Sequence, residues 1–142
     1  MCRAHIDYSG TFDGAGIIAA GPYDCGQGNV IEFATCDIGA SLATLEQQAV
    51  TWSSQGLIDP ISDLAGKPVY VYHGALDPVV NDMVSAAGVD FYQHFGASVE
   101  YHSTDPAGHG WPSRTTRRGA GTGGVTTGRT SPSRPRRRWS RS

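Results

Sequence analysis

All 13 acidic residues of this 142-residue chain lie between Asp7 and Asp105, whereas nine of its 11 basic residues, every one an arginine, lie beyond Ser113. Two bases against 13 acids leave residues 1–113 at −11, while residues 114–142 carry +9. Two kinds of polypeptide are joined there. The second, RTTRRGAGTGGVTTGRTSPSRPRRRWSRS, has only Val125 and Trp139 as substantial apolar groups, too little burial to offset the entropy of ordering, and is expected to be disordered. Residues 1–113 can form about one domain. No apolar run approaches the roughly 20 residues of a bilayer span, so no membrane-embedded role is expected. A basic segment followed by an apolar core is absent from the start, so no secretory signal is legible in the chain.

Within residues 1–113 the pattern alternates strand and helix. Residues 1–8 are too short to read alone. The run AGIIAAG from Gly14, closed by Gly21-Pro22, reads as a short buried strand, and residues 30–36 fit either a strand or a helix turn. Leu42, Leu45, Ala49 and Trp52 recur every three to four residues before Gly56, predicting an amphipathic helix within residues 40–55. VYVYHG after Lys67-Pro68 predicts a central strand. A second helix is expected over residues 81–95, with Val84, Ala87, Phe91 and Phe95 on one face and Gly96 ending it, then a strand over 97–102. Strand, helix, strand, helix, strand implies an α/β fold with a parallel sheet. Three such strands, buried on both faces, make a small body with exposed edges, like the second half of something larger.

Functional residues of open parallel sheets sit in the loops beyond the carboxyl ends of the strands. Two such loops stand out: His73-Gly74-Ala75-Leu76-Asp77-Pro78-Val79-Val80 and Asp105-Pro106-Ala107-Gly108-His109-Gly110-Trp111-Pro112. An aspartate after one strand and a histidine after the next can meet at the sheet edge, and an acid that fixes a histidine tautomer is the back half of a Ser-His-Asp relay. Taken singly, Asp77 also suits a turn or helix cap, and Asp82 and Asp105 are neighbouring acids that suit capping or solvation better than pairing. His73, His94 and His102 read as core-edge or surface histidines, because no metal-ligand spacing links them. No metal and no cofactor is implied.

The stretch Tyr8-Ser9-Gly10-Thr11-Phe12-Asp13-Gly14-Ala15-Gly16-Ile17-Ile18-Ala19, then Gly21-Pro22-Tyr23-Asp24-Cys25, Pro68-Val69-Tyr70-Val71-Tyr72-His73-Gly74 with Asp77 and Val80, and Gly108-His109-Gly110-Trp111-Pro112 resembles the poly(3-hydroxybutyrate) depolymerases. These are serine carboxylesterases of the α/β-hydrolase fold. The resemblance spans residues 4–113 and implies a partial α/β-hydrolase fold, comprising its last strands and helices. It implies Asp77 as the triad acid and His109 as the general base. Trp111 follows immediately; its indole face suits a polyester's methyl groups, and equally ordinary loop packing. The implied substrate is a polyester or short-chain hydroxyalkanoate ester, and the implied setting of the parent protein is extracellular or periplasmic.

One departure from that family is decisive for activity. The fold's nucleophile sits in Gly-x-Ser-x-Gly on a tight strand-to-helix turn, and no such motif occurs in the sequence. By the family pattern the serine lies a few residues before Met1, so this chain alone is expected to be inactive. Gly39-Ala40-Ser41-Leu42-Ala43 is a degenerate match in the right chain order, but Cys36-Asp37-Ile38 is a poor strand end, and Ser41 better suits a helix N-cap. Ser9 suits a helix end. Cys25 and Cys36 enclose a short loop and suit either a disulfide in an exported parent or two free thiols, with Cys2 left over.

RPRRRWSRS at the end of the tail invites the alternative reading of a non-catalytic protein that binds nucleic acid or anionic surfaces through counterion release, with Trp139 stacking on bases. Its composition favours a solvated low-complexity tail instead, so nucleic acid is the alternative partner and not the expected one. The resemblance stops abruptly at Ser113, and a third reading of the tail is a shifted reading frame, since GC-rich DNA out of frame often encodes an Arg/Gly/Thr/Ser/Pro mixture.

Overall fold

A computed structural model of the chain describes residues 2–26, 36 and 41–111. Residues 30–35, left open between strand and helix, and the 114–142 tail lie outside the described residues. The elements are α1 (Cys2–Asp7), β1 (Ala15–Ile18), α2 (Leu42–Ser54), a 3-10 turn (Ile61–Leu64), β2 (Pro68–Tyr72), α3 (Asp82–His94) and β3 (Ser98–His102).

Local chemistry sets the helix boundaries. Ser41 caps α2, its Oγ accepting the Thr44 N–H at 3.3 Å, and Asn81 caps α3, its Oδ1 accepting the Met83 N–H at 2.9 Å. Beyond their C-terminal ends stand Gly56 and Gly96, at φ +70° and +78°, a conformation that a Cβ disfavours. Ala87 and Phe95, placed on the buried face of α3 by sequence, are only half-buried; that face is broader and centres on Val84, Ser85, Gly88, Val89, Phe91 and Tyr92.

The three strands are parallel in the order β1-β2-β3, with Ile17 beside Val71 and Val71 beside Tyr101. β2 is central. Because the strands advance across the sheet in one direction, right-handed crossovers deliver the connecting helices to the same face. Ile17, Val69 and Val71 therefore pack in one core with Ile6 of α1, Leu45 and Ala49 of α2, and Val89 and Phe91 of α3. The next register row, Gly16, Tyr70 and Glu100, points the other way and is exposed. The expectation of burial on both faces is thus corrected: the apolar run VYVY contains a tyrosine, Tyr70, that remains 39% exposed.

α1 escapes sequence reading because six residues show no period, and tertiary contacts hold it instead. The chain's one lysine, Lys67, donates its ammonium to the Ser9 and Phe12 carbonyls just past α1, where unpaired carbonyls favour a cation. Ser9 Oγ donates to the Pro60 carbonyl, and Gly10 N–H donates to Asp59 Oδ2, both at 3.0 Å. Cys25 and Cys36 are joined as a disulfide, and Cys36 packs against a second small cluster made by Ala19, Val80 and Val84.

His5 on α1 is buried, with Nδ1 3.1 Å from the Tyr92 hydroxyl. Burial, reinforced by the charge of Lys67, holds its pKa below the ordinary 6.5. The unfolded chain then binds this proton more readily than the folded one, so His5 makes stability fall as pH drops through 6.5. Urea denaturation at pH 7.5 and pH 5.5 should show lower stability at the acid value, and His5→Phe should shrink the difference.

Candidate active site

Backbone pairing of β2 and β3 continues past both strand ends, and this continuation builds the site. His73 N–H donates to His102 O at 2.9 Å, Ala75 N–H to Asp105 O at 2.8 Å and Leu76 N–H to Ala107 O at 3.0 Å. Two loops that would otherwise diverge are thereby laced together. Gly74 lies so close to the second loop that a Cβ on it would overlap the Ala107 carbonyl. Beyond the lacing the first loop turns, with Asp77 N–H donating to Gly74 O at 2.9 Å.

That turn delivers Asp77 to His109. Asp77 Oδ2 lies 2.9 Å from His109 Nδ1, while its Oδ1 accepts the N–H groups of Val79 at 2.8 Å and Val80 at 3.0 Å. The carboxylate side chain has no exposed surface, whereas the imidazole is 44% exposed. Burial pushes the Asp77 pKa up, but the Val80 and Val79 N–H groups together with His109 outweigh it and hold the carboxyl below its ordinary value. Asp77 is therefore an acceptor at neutral pH. Since a carboxylate only accepts, His109 Nδ1 carries a proton, and Nε2 is the nitrogen left to exchange one. An imidazole so fixed can take a proton at one nitrogen while an anion steadies the other.

The other acids that the sequence places nearby have different partners. Asp82 Oδ1 accepts the Tyr101 hydroxyl at 2.5 Å and lies 3.5 Å from His73 Nδ1; burial, then the Asp82 hydrogen bond and charge, push the Tyr101 pKa up to about 12. Asp105 pairs with His102 at 3.4 Å, and His94 with Glu46 at 3.4 Å. His73, read as a core-edge or surface histidine, is buried, with Nε2 2.9 Å from the Val80 carbonyl oxygen. The run His73-Gly74-Ala75-Leu76-Asp77 gives no sign of that burial, because spacing alone does not show which carbonyl the ring meets.

Leu76 and Val79 on the first loop, Met83 in the first turn of α3 and Trp111 on the second loop are all exposed. A shallow groove lined by Gly14, Ala15, Tyr70 and Glu100 lies toward the opposite end of the sheet. Ser41 uses its hydroxyl in the α2 cap, and among the described residues no hydrogen bond joins it to His109. Among those residues no three His, Cys, Asp or Glu side chains are placed to hold a metal ion, and no helix is long and apolar enough to cross a membrane.

No protein-family model matches the chain. A poly(3-hydroxybutyrate) depolymerase of Delftia acidovorans is 37% identical over 114 residues, covering 75% of this chain and 23% of that protein. Among solved structures, a serine-to-alanine variant of a PHB depolymerase, complexed with an R3HB trimer, is similar at a TM-score of 0.63 and 26% identity, covering 79% of this chain and 35% of that one. The chain thus spans about a quarter to a third of the length of these relatives.

Adding a Cβ at position 74 should force the laced loops apart. Gly74→Ala should lower the unfolding free energy by about 1–3 kcal/mol, the usual range for overpacking, whereas Gly16→Ala, whose Cβ meets open space, should change it little. Paired urea denaturation of the two variants checks this.

Proposed function

We propose, from the premise that the chain is related in sequence and fold to part of the poly(3-hydroxybutyrate) depolymerases, that it carries the acid and base of a serine carboxylesterase acting on hydroxyalkanoate esters. Asp77 is the acid and His109 the base. The observation that carries this reading is the 2.9 Å contact between a buried carboxylate and a half-exposed imidazole on neighbouring strand-end loops.

His109 Nε2 takes the proton of a serine hydroxyl as its oxygen attacks the ester carbonyl, and Asp77 steadies the imidazolium that results. Collapse of the tetrahedral intermediate breaks the ester C–O bond, His109 returns the proton to the departing hydroxyl, and an acyl-serine remains. Water, deprotonated by the same histidine, then releases the acid. The serine belongs to a Gly-x-Ser-x-Gly turn that the parent protein supplies outside this sequence. Trp111, with Leu76, Val79 and Met83, gives the site an apolar rim suited to a polyester's methyl groups. The Cys25–Cys36 disulfide supports an extracellular or periplasmic setting for the parent.

Alone, the chain should hydrolyse a chromogenic butyrate ester no faster than buffer does; turnover abolished by Ser41→Ala would instead make Ser41 the nucleophile. A chimera of the Delftia acidovorans depolymerase carrying residues 2–111 in place of its matching segment tests the assigned roles. In an active chimera, Asp77→Asn should lower kcat by about 10⁴, the scale of a triad left with the wrong tautomer, and His109→Ala should be at least as damaging. Full turnover with either substitution would refute the assignment.

A further inference from the structure

The geometry points to His73 as a positioning residue that holds the Asp77 loop in the shape the acid–base pair needs, an inference that rests on the roles proposed for Asp77 and His109. His73 is 3% exposed, and its Nε2 lies 2.9 Å from the Val80 carbonyl. A carbonyl oxygen only accepts, so Nε2 carries a proton and donates it. That bond closes the loop from the end of β2 to the start of α3. Val80 is also the residue whose N–H reaches Asp77 Oδ1 at 3.0 Å, so the ring grips one side of Val80 while the carboxylate takes the other.

The remaining contacts of Val80 and His73 make the grip rigid. The Val80 side chain is buried against Ala19 and Val84, and the His73 backbone N–H belongs to the lacing with β3. On its far side the ring faces Asp82, which in turn accepts the Tyr101 hydroxyl from β3. A continuous series of contacts thus runs from Tyr101 through Asp82, His73 and Val80 to Asp77 and His109. Without the His73 donor, a buried carbonyl is left unpaired and the Val79 and Val80 N–H groups drift from Asp77. The buried carboxylate then loses the donors that keep it ionised and its aim at His109, and a displacement on the order of 1 Å is enough to disable such a pair. His73 touches neither substrate nor nucleophile in this scheme.

Imidazole NMR on the full chain tests this without requiring turnover. In the unsubstituted protein His73 should rest as the Nε2–H tautomer with a proton that exchanges slowly, and His109 should show a hydrogen-bonded Nδ1–H that Asp77→Asn removes. His73→Leu should speed exchange of the His109 Nδ1–H by about tenfold or more, the scale of one lost hydrogen bond. His73→Gln, whose side-chain nitrogen reaches the Nε2 position, should preserve it, as should Val89→Ala, a core truncation on α3 that serves as the control for general destabilisation. A folded His73→Leu with unchanged His109 exchange overturns the positioning role while leaving the acid–base reading intact. Finding His73 as the Nδ1–H tautomer in the unsubstituted protein overturns it too, even if His73→Leu does not fold. If Asp77→Asn leaves the His109 signal unaltered, the pairing itself fails, and the inference fails with it.

Discussion

Everything at the candidate site depends on one close approach, the backbone of Gly74 against the carbonyl of Ala107. Parallel strands hold their register only as long as the ladder lasts, and here the ladder outlasts the strands by several residues. The two loops consequently leave the sheet as a bound pair and not as independent excursions. Glycine is required at position 74 for space, since its neighbour across the gap is backbone and has nowhere to move.

That constraint explains how a carboxylate can be wholly buried yet ionised. Desolvation alone would favour the neutral acid, but two N–H groups from the same turn and an imidazole from the partner loop converge on it. Removing Asp77 from water therefore strengthens its hold on His109, because no solvent competes for the oxygen facing the ring. The imidazole stays half open to its surroundings, which leaves the second nitrogen available to a reacting group.

Much of this is legible in the residues. The alternating strand and helix pattern, the glycines after α2 and α3 and the placement of Asp77 and His109 beyond successive strands all follow from local rules. What escapes is what depends on distant partners. α1 is set by Lys67 and the segment around Asp59, both tens of residues away. The burial of His73 is invisible because a histidine beside a glycine looks alike whether it faces solvent or a carbonyl. The exposure of Tyr70 is hidden by its apolar neighbours, since the side chosen by α2 and α3 is a property of the crossovers and not of VYVY itself.

Sheet connectivity also orders the events of folding. Joining β2 to β3 closes the chain between Pro68 and Ser98, whereas joining β1 to β2 must wait for closure between Ala15 and Val69. Loop-closure entropy rises with the length enclosed and separation in sequence slows pairing, so the β2–α3–β3 unit is expected to pair ahead of β1. Asp77, His109 and the lacing between their loops all belong to that unit. Asp77 and His109 can therefore find each other while α1 and β1 are still searching for their place.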